Sequence, residues 1–167
     1  MGLIMRVYPA HDSDLRAFVG APRTLRVWLR YPHPVADVSL DETWRDLDAL
    51  LGAQPDAPSP VPLRPQAADF TYPFVTEGGA HALSFSRTQA LLRFIERIDR
   101  ADVERFVRAR DTTGTATAEV PSAGDPRVED LLQHLTRLRL TLATAVGKGY
   151  GVLLALWDSR QSPAGEV

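Results

Sequence analysis

The stretch DPRVEDLLQHLTRLRLTLATAVGKGYGVLLALWD, residues 125–158, decides how this chain is read. Asp125 stands where an N-cap belongs and Pro126 at the first helical position, where its missing N–H does no harm. Val128, Leu131, Leu132, Leu135, Leu138, Leu142 and Val146 then recur at helical spacing and form one long apolar stripe. Gly147 ends the helix, and Lys148 sits beside the negative end of its dipole. GVLLALWD, 151–158, has no alternation at all, so it reads as a strand buried on both faces and central in a sheet. A long helix that returns directly into a central strand predicts a mixed fold.

Outward from this segment, LIMRVY (3–8) reads as an opening strand stopped by Pro9. DSDLRAFVG (12–20) is a short helix with Asp12 or Ser13 as its cap. In 22–32, Leu25, Val27 and Leu29 alternate like a strand, whereas Leu25, Trp28 and Leu29 share a helical face; Pro22 tips the balance to helix. SLDETWRDLDALLG (39–52) is predicted to be a helix. Ser39 and Glu42 make a capping box, Leu40, Trp44, Leu47 and Leu51 form the buried stripe, and Asp41 pairs with Arg45 on the wet side. Residues 53–69 hold five prolines and read as an extended surface loop. FTYPFV (70–75) is a short strand broken by Pro73. Residues 83–98 form a helix capped by Ser84 or Ser86, residues 102–111 a second, and 112–121 a loop or edge strand. These elements without β-α-β alternation predict α+β: one domain over 1–158, a small mostly antiparallel or mixed sheet packed with several helices, and a disordered tail at 159–167.

Composition removes several function classes. The 167 residues carry a net charge of −2, which gives no electrostatic reason to expect nucleic acid or an anionic membrane as partner. Cysteine is absent, excluding thiol catalysis, thiolate metal sites and disulfides, and fitting a cytoplasmic location. The longest apolar run, 151–157, is too short to span a bilayer. GKGYG (147–151) resembles a phosphate loop in composition only. It leaves a helix C-terminus, whose partial charge repels phosphate, and therefore reads as a turn.

Chemistry-bearing residues are scattered. His11, His33, His81 and His134 form no metal-binding spacing, so neither metal nor cofactor is expected. No G-x-S-x-G or S-x-x-K motif is present. Asp41, Glu42, Asp46 and Asp48 read as a solvated acidic face. The seven arginines of 87–110 alternate with acids, the pattern of salt-bridged helices. His81, after Gly78-Gly79, reads as a loop histidine with a ligand-facing position as the sharper option, and His134 as a boundary residue of the long stripe. Trp28, Trp44 and Trp157 read as core anchors, Trp28 alternatively as an interface residue.

The order of several motifs resembles the bacterial YfbM-like family, a domain of unknown function. These are MG-x-I at Met1–Ile4, D-x-x-W-x-x-L-x-x-L-L-G at Asp41–Gly52, A-x-x-L-S at Ala80–Ser84, the long C-terminal helix, and G-x-G-V-L-L at Gly149–Leu154. The resemblance spans roughly residues 1–158. It implies a single α+β domain and a helical 22–31, and it implies no activity. Members often carry histidines one and four positions after the tryptophan, where this chain has Arg45 and Asp48. An aromatic I-Y-P…W segment of relatives is reduced to EVP at 119–121.

Taken together, the sequence points away from an enzyme and toward a non-catalytic protein-interaction module, an immunity- or antitoxin-like protein being one option. A protein partner or self-association is expected. The competing expectation is a small-molecule-binding protein or enzyme with a pocket near Trp44, Arg45, Asp48 and His81.

Overall fold

A computed structural model describes residues 2–31, 38–61, 63–73, 75–76, 78–113 and 124–158. The expectations for 114–121 and for the tail lie outside these residues. The element order is β1 (Leu3–Ala10), α1 (Asp12–Val19), α2 (Pro22–Trp28), β2 (Val38–Ser39), α3 (Trp44–Gly52), β3 (Phe70–Tyr72), β4 (Ala80–Leu83), α4 (Phe85–Ile95), α5 (Arg100–Thr113), α6 (Pro126–Gly147) and β5 (Gly151–Asp158). A 3-10 turn at Asp41–Thr43 leads into α3, and another lies at Pro65–Ala67.

The five strands form one antiparallel sheet in the order β2-β1-β5-β4-β3, so the fold is α+β and β5 is its central strand. β1 and β5 pair along their whole length, from Leu3 opposite Asp158 to Ala10 opposite Gly151. The unbroken apolar run of β5 is explained by cover on both faces. Val152 and Leu154 join Met5, Val7 and the cluster built by α3–α6, while Leu153, Ala155 and Trp157 join Tyr8, Leu15, Phe18 and Leu25 on the other side. Each leucine so buried contributes about 1.5–3 kcal/mol.

Several local expectations are corrected by distant contacts. Pro9 does not stop β1: the described residues of β2 pair with Arg6 and Val7, ahead of Pro9, and β1 runs on to Ala10 in register with β5. The cap of α1 is His11, whose Nδ1 accepts the Ser13 N–H at 3.3 Å, and neither Asp12 nor Ser13. Asp12 instead reaches across and accepts the Phe85 N–H at 2.9 Å, capping α4. Ser84 stands at the N-cap of α4 and makes no side-chain cap bond; its own N–H goes to Asp69 at 2.7 Å.

Ser39 belongs to β2, and its hydroxyl donates to Asp41 Oδ1 at 2.9 Å; the Glu42 side chain of the expected capping box lies outside what the structure describes. Asp41, at φ +45°, turns the chain into α3 and faces His134 at 3.9 Å; it forms no pair with Arg45. GKGYG is the helix-to-strand turn expected, with Gly149 at φ +72°. A Cβ on Gly151 would stand 2.4 Å from the Leu83 carbonyl oxygen, so only glycine lets β5 enter beside β4.

Candidate functional site

The Pro-rich segment 53–69 crosses the α3–α6 side of the molecule as a strap. It is less of a surface loop than its composition suggests, since Leu63 is 1% exposed and packs with Leu47, Leu50 and Leu51 of α3. Gln54 donates to the Leu50 carbonyl, and Arg87 of α4 donates to the Ala67 carbonyl at 2.7 Å, tying down both ends.

Under this strap lie two of the residues singled out from sequence. Asp48 was expected on a solvated face and is in fact buried, 8% exposed, with Oδ2 accepting from Arg64 Nε at 2.8 Å. It lies at the edge of the Trp44–Leu47–Leu51 stripe, and the strap closes over that edge. Its second oxygen, Oδ1, is sealed from solvent without a partner. His81 was expected in a loop and belongs to β4, opposite Leu154 and Thr71, at 1% exposure. Burial disfavours the imidazolium and lowers the pKa to about 4, against a smaller opposing effect of a hydrogen bond with the Leu63 backbone. Its Nε2 is also without a partner. The strand β4 itself was missed: AHAL has no β-branched residue, and only its pairing with β5 and β3 makes it a strand.

The other candidates do not join them. Trp44 is half-buried on α3 and donates Nε1–H to the Leu3 carbonyl at 2.9 Å, a core anchor as expected. Arg45 is exposed, with its guanidinium 5.6 Å from the Trp44 ring centre. Trp28 packs edge-on against Tyr8 and tilted against Phe18 on the opposite face of the sheet. His134 is buried, with Nδ1 2.9 Å from the Asp130 carbonyl oxygen of its own helix.

Two concavities border these groups. One, of about 310 Å³, runs between the strap and α4. Pro58, Pro60 and Ala67 face Ala90, Leu91 and Phe94 across it. Arg87, bonded to Asp69 at 2.8 Å, and Arg97, bonded to Asp56 at 2.6 Å, stand along the same face of α4. Its floor reaches Leu83, two residues along β4 from His81 and on the same face of the sheet. The proline run 53–69 is legible in the sequence as an adaptable contact surface, and its lone leucine is the signal for its burial; Ala90 carries no such signal.

The second concavity, about 380 Å³, lies between α3, α5 and α6. Its charges are largely paired: Arg110 with Asp46, and Arg127 with Asp111 at 2.7 Å and Asp125 at 2.8 Å. Hydrogen bonds to Arg127 hold both of those carboxyls below the usual carboxylate range. Within 87–110, the alternating arginines and acids pair as Arg105 with Asp102 at 2.9 Å and Arg100 with Glu104 at 3.8 Å.

Among the described residues no group of three or more His, Asp or Glu is arranged to hold a metal ion, and no helix is long and apolar enough to cross a membrane. The fold and site thus define an α+β protein with a strap-bordered groove on one face. No family model, curated protein or solved structure matches the chain.

Proposed function

We propose that this chain is a non-catalytic protein-interaction module whose contact surface is the strap and the groove it forms with α4. The observation that carries this reading is where the chemistry sits. Asp48, His81 and His134 are enclosed and engaged in internal contacts, while the groove offers an apolar lining with guanidiniums along α4. Partner neutralisation of the immunity or antitoxin type is one role within this class. The balanced net charge supports a protein partner over nucleic acid, and the cysteine-free composition is compatible with a cytoplasmic setting. The relationship to the YfbM-like family is likewise proposed, on the order of the shared motifs.

One observation favours a second reading, a small-molecule binder: a concavity of about 310 Å³ falls within the size range of ligand pockets. A single experiment separates the two. Tagged native protein and an Ala90→Trp variant are used to capture material from host lysate, and retained proteins and metabolites are both identified by mass spectrometry. Ala90 is exposed, so the tryptophan fills the groove without entering the core. A stoichiometric protein held by the native chain and lost from the variant supports the module. A metabolite lost in the same way, with no protein, replaces it by the ligand reading.

A further inference from the structure

Leu63 and Arg64 sit over the two buried polar groups as an occupant sits in a site. A carboxylate at 8% exposure among leucines needs several donors to offset its lost hydration. Asp48 accepts from its cation through Oδ2 alone, from Arg64 Nε, although a guanidinium can present two parallel N–H groups to a carboxylate. Oδ1 is left over. The strap therefore satisfies half of what Asp48 offers.

His81 tells the same story from the adjoining residue. Its ring lies against the Leu63 backbone, and its Nε2 is sealed from solvent without a partner. Both orphaned atoms thus lie beneath consecutive strap residues. What Asp48 Oδ1 lacks is an N–H donor. The groove along the strap's edge reaches Leu83, on the same strand as His81.

A purely structural latch would explain the burial of Leu63. It does not explain why the latch leaves two buried polar atoms unmet. We propose that Leu63-Arg64 is a built-in occupant of a binding site formed by Asp48, His81 and the apolar wall of α3, and that the site takes a partner-protein segment in which an arginine adjoins a large apolar residue, displacing the strap. This rests on the interaction-module reading and narrows the partner's contacting segment. An incoming guanidinium meeting both Asp48 oxygens satisfies Oδ1, which Arg64 leaves free. The tethered strap competes at an effective concentration on the order of millimolar, so loosening its hold must tighten apparent binding of an outside segment.

The probe is the peptide acetyl-Leu-Arg-amide, with acetyl-Leu-citrulline-amide as its uncharged counterpart. Arg64→Lys keeps a cation opposite Asp48 but removes the planar fork, weakening the strap without stranding the carboxylate. Calorimetric titration is expected to show the arginine peptide binding Arg64→Lys at least tenfold more tightly than the native chain, with the citrulline peptide silent. Hydrogen exchange of the amides of 56–61 is expected to rise with peptide and saturate. Adding Asp48→Asn to Arg64→Lys is expected to abolish binding.

Equal binding of the two peptides, binding indifferent to Asp48→Asn, or no saturable response from folded Arg64→Lys each overturns the proposal. Should Arg64→Lys not fold, Leu63→Ala, which loosens the other anchor, is expected to give the same tightening, and its failure to do so counts equally against the site. Groove-dependent partner capture without peptide binding removes this site and leaves the module. Peptide binding with no captured partner does the reverse.

Discussion

His81 and Asp48 show how burial converts ordinary side chains into conditional ones. The folded-state pKa of His81, about 4, lies below the ordinary histidine value of 6.5, so in that window the unfolded chain binds the extra proton. The neutral ring's contribution is complete above pH 6.5 and is lost as the pH falls from there toward 4. Urea unfolding at pH 7 and pH 5 is expected to show the native chain losing about 2 kcal/mol more than His81→Leu over that interval. An equal loss in both would place His81 in contact with solvent. At Asp48 the expected effects are asymmetric. Arg64→Ala strands a buried carboxylate and is expected to cost about 3 kcal/mol, whereas Asp48→Ala releases a half-exposed guanidinium and costs about 1–2 kcal/mol. Arg45→Ala, which removes an exposed cation from the face of Trp44, is expected to cost under about 1 kcal/mol. The same denaturation series checks all three.

At the scale of the element, helix ends are where local reading and tertiary contact part company. Asp12 precedes an apolar-periodic segment and looks like its cap, yet its carboxylate closes α4, seventy-three residues away in sequence. The far end of α4 is closed in the same non-local manner by Arg139 of α6, which donates to the carbonyls of Ile95 and Ile98. Asp12→Ala is therefore expected to destabilise by about 1 kcal/mol, with faster hydrogen exchange at the first turn of α4. Ser84→Ala, at the position the sequence suggests for the cap, is expected to change stability by less than about 0.5 kcal/mol. A larger effect from Ser84 than from Asp12 would reverse the assignment. α5 follows the local rule: Asp99 and Asp102 exchange backbone N–H bonds at 3.0 Å each way, and the break near Asp99 was legible.

For the molecule as a whole, the two apolar clusters lie on opposite faces of the sheet. Trp28 and Trp157 report on the α1–α2 side and Trp44 on the α3–α6 side, with β5 contributing residues to both. Because the two layers share their central strand, neither buries its apolar face alone, and unfolding is expected to be one cooperative transition. Single-tryptophan variants retaining Trp28 or Trp44 are expected to give coincident denaturation midpoints by fluorescence. Separate midpoints would mean that the clusters are independent folding units.

Where the information lies within a few residues, the sequence alone was enough. The stripe and N-cap of α6, the turn at GKGYG, the helix at 22–28 and the two-sided burial of β5 all follow from spacing and turn chemistry that neighbouring residues set; the helix end does not, since α6 includes Gly147 and the left-handed residue is Gly149. The tertiary structure alone decided β4, whose alanines become a strand by pairing with β5. It also decided the cap that α4 takes from Asp12, and the burial of Asp48 and His81 beneath the strap. Each of these depends on a segment far away in sequence, brought close by packing, and local periodicity carries no record of what will cover a residue once the chain has folded.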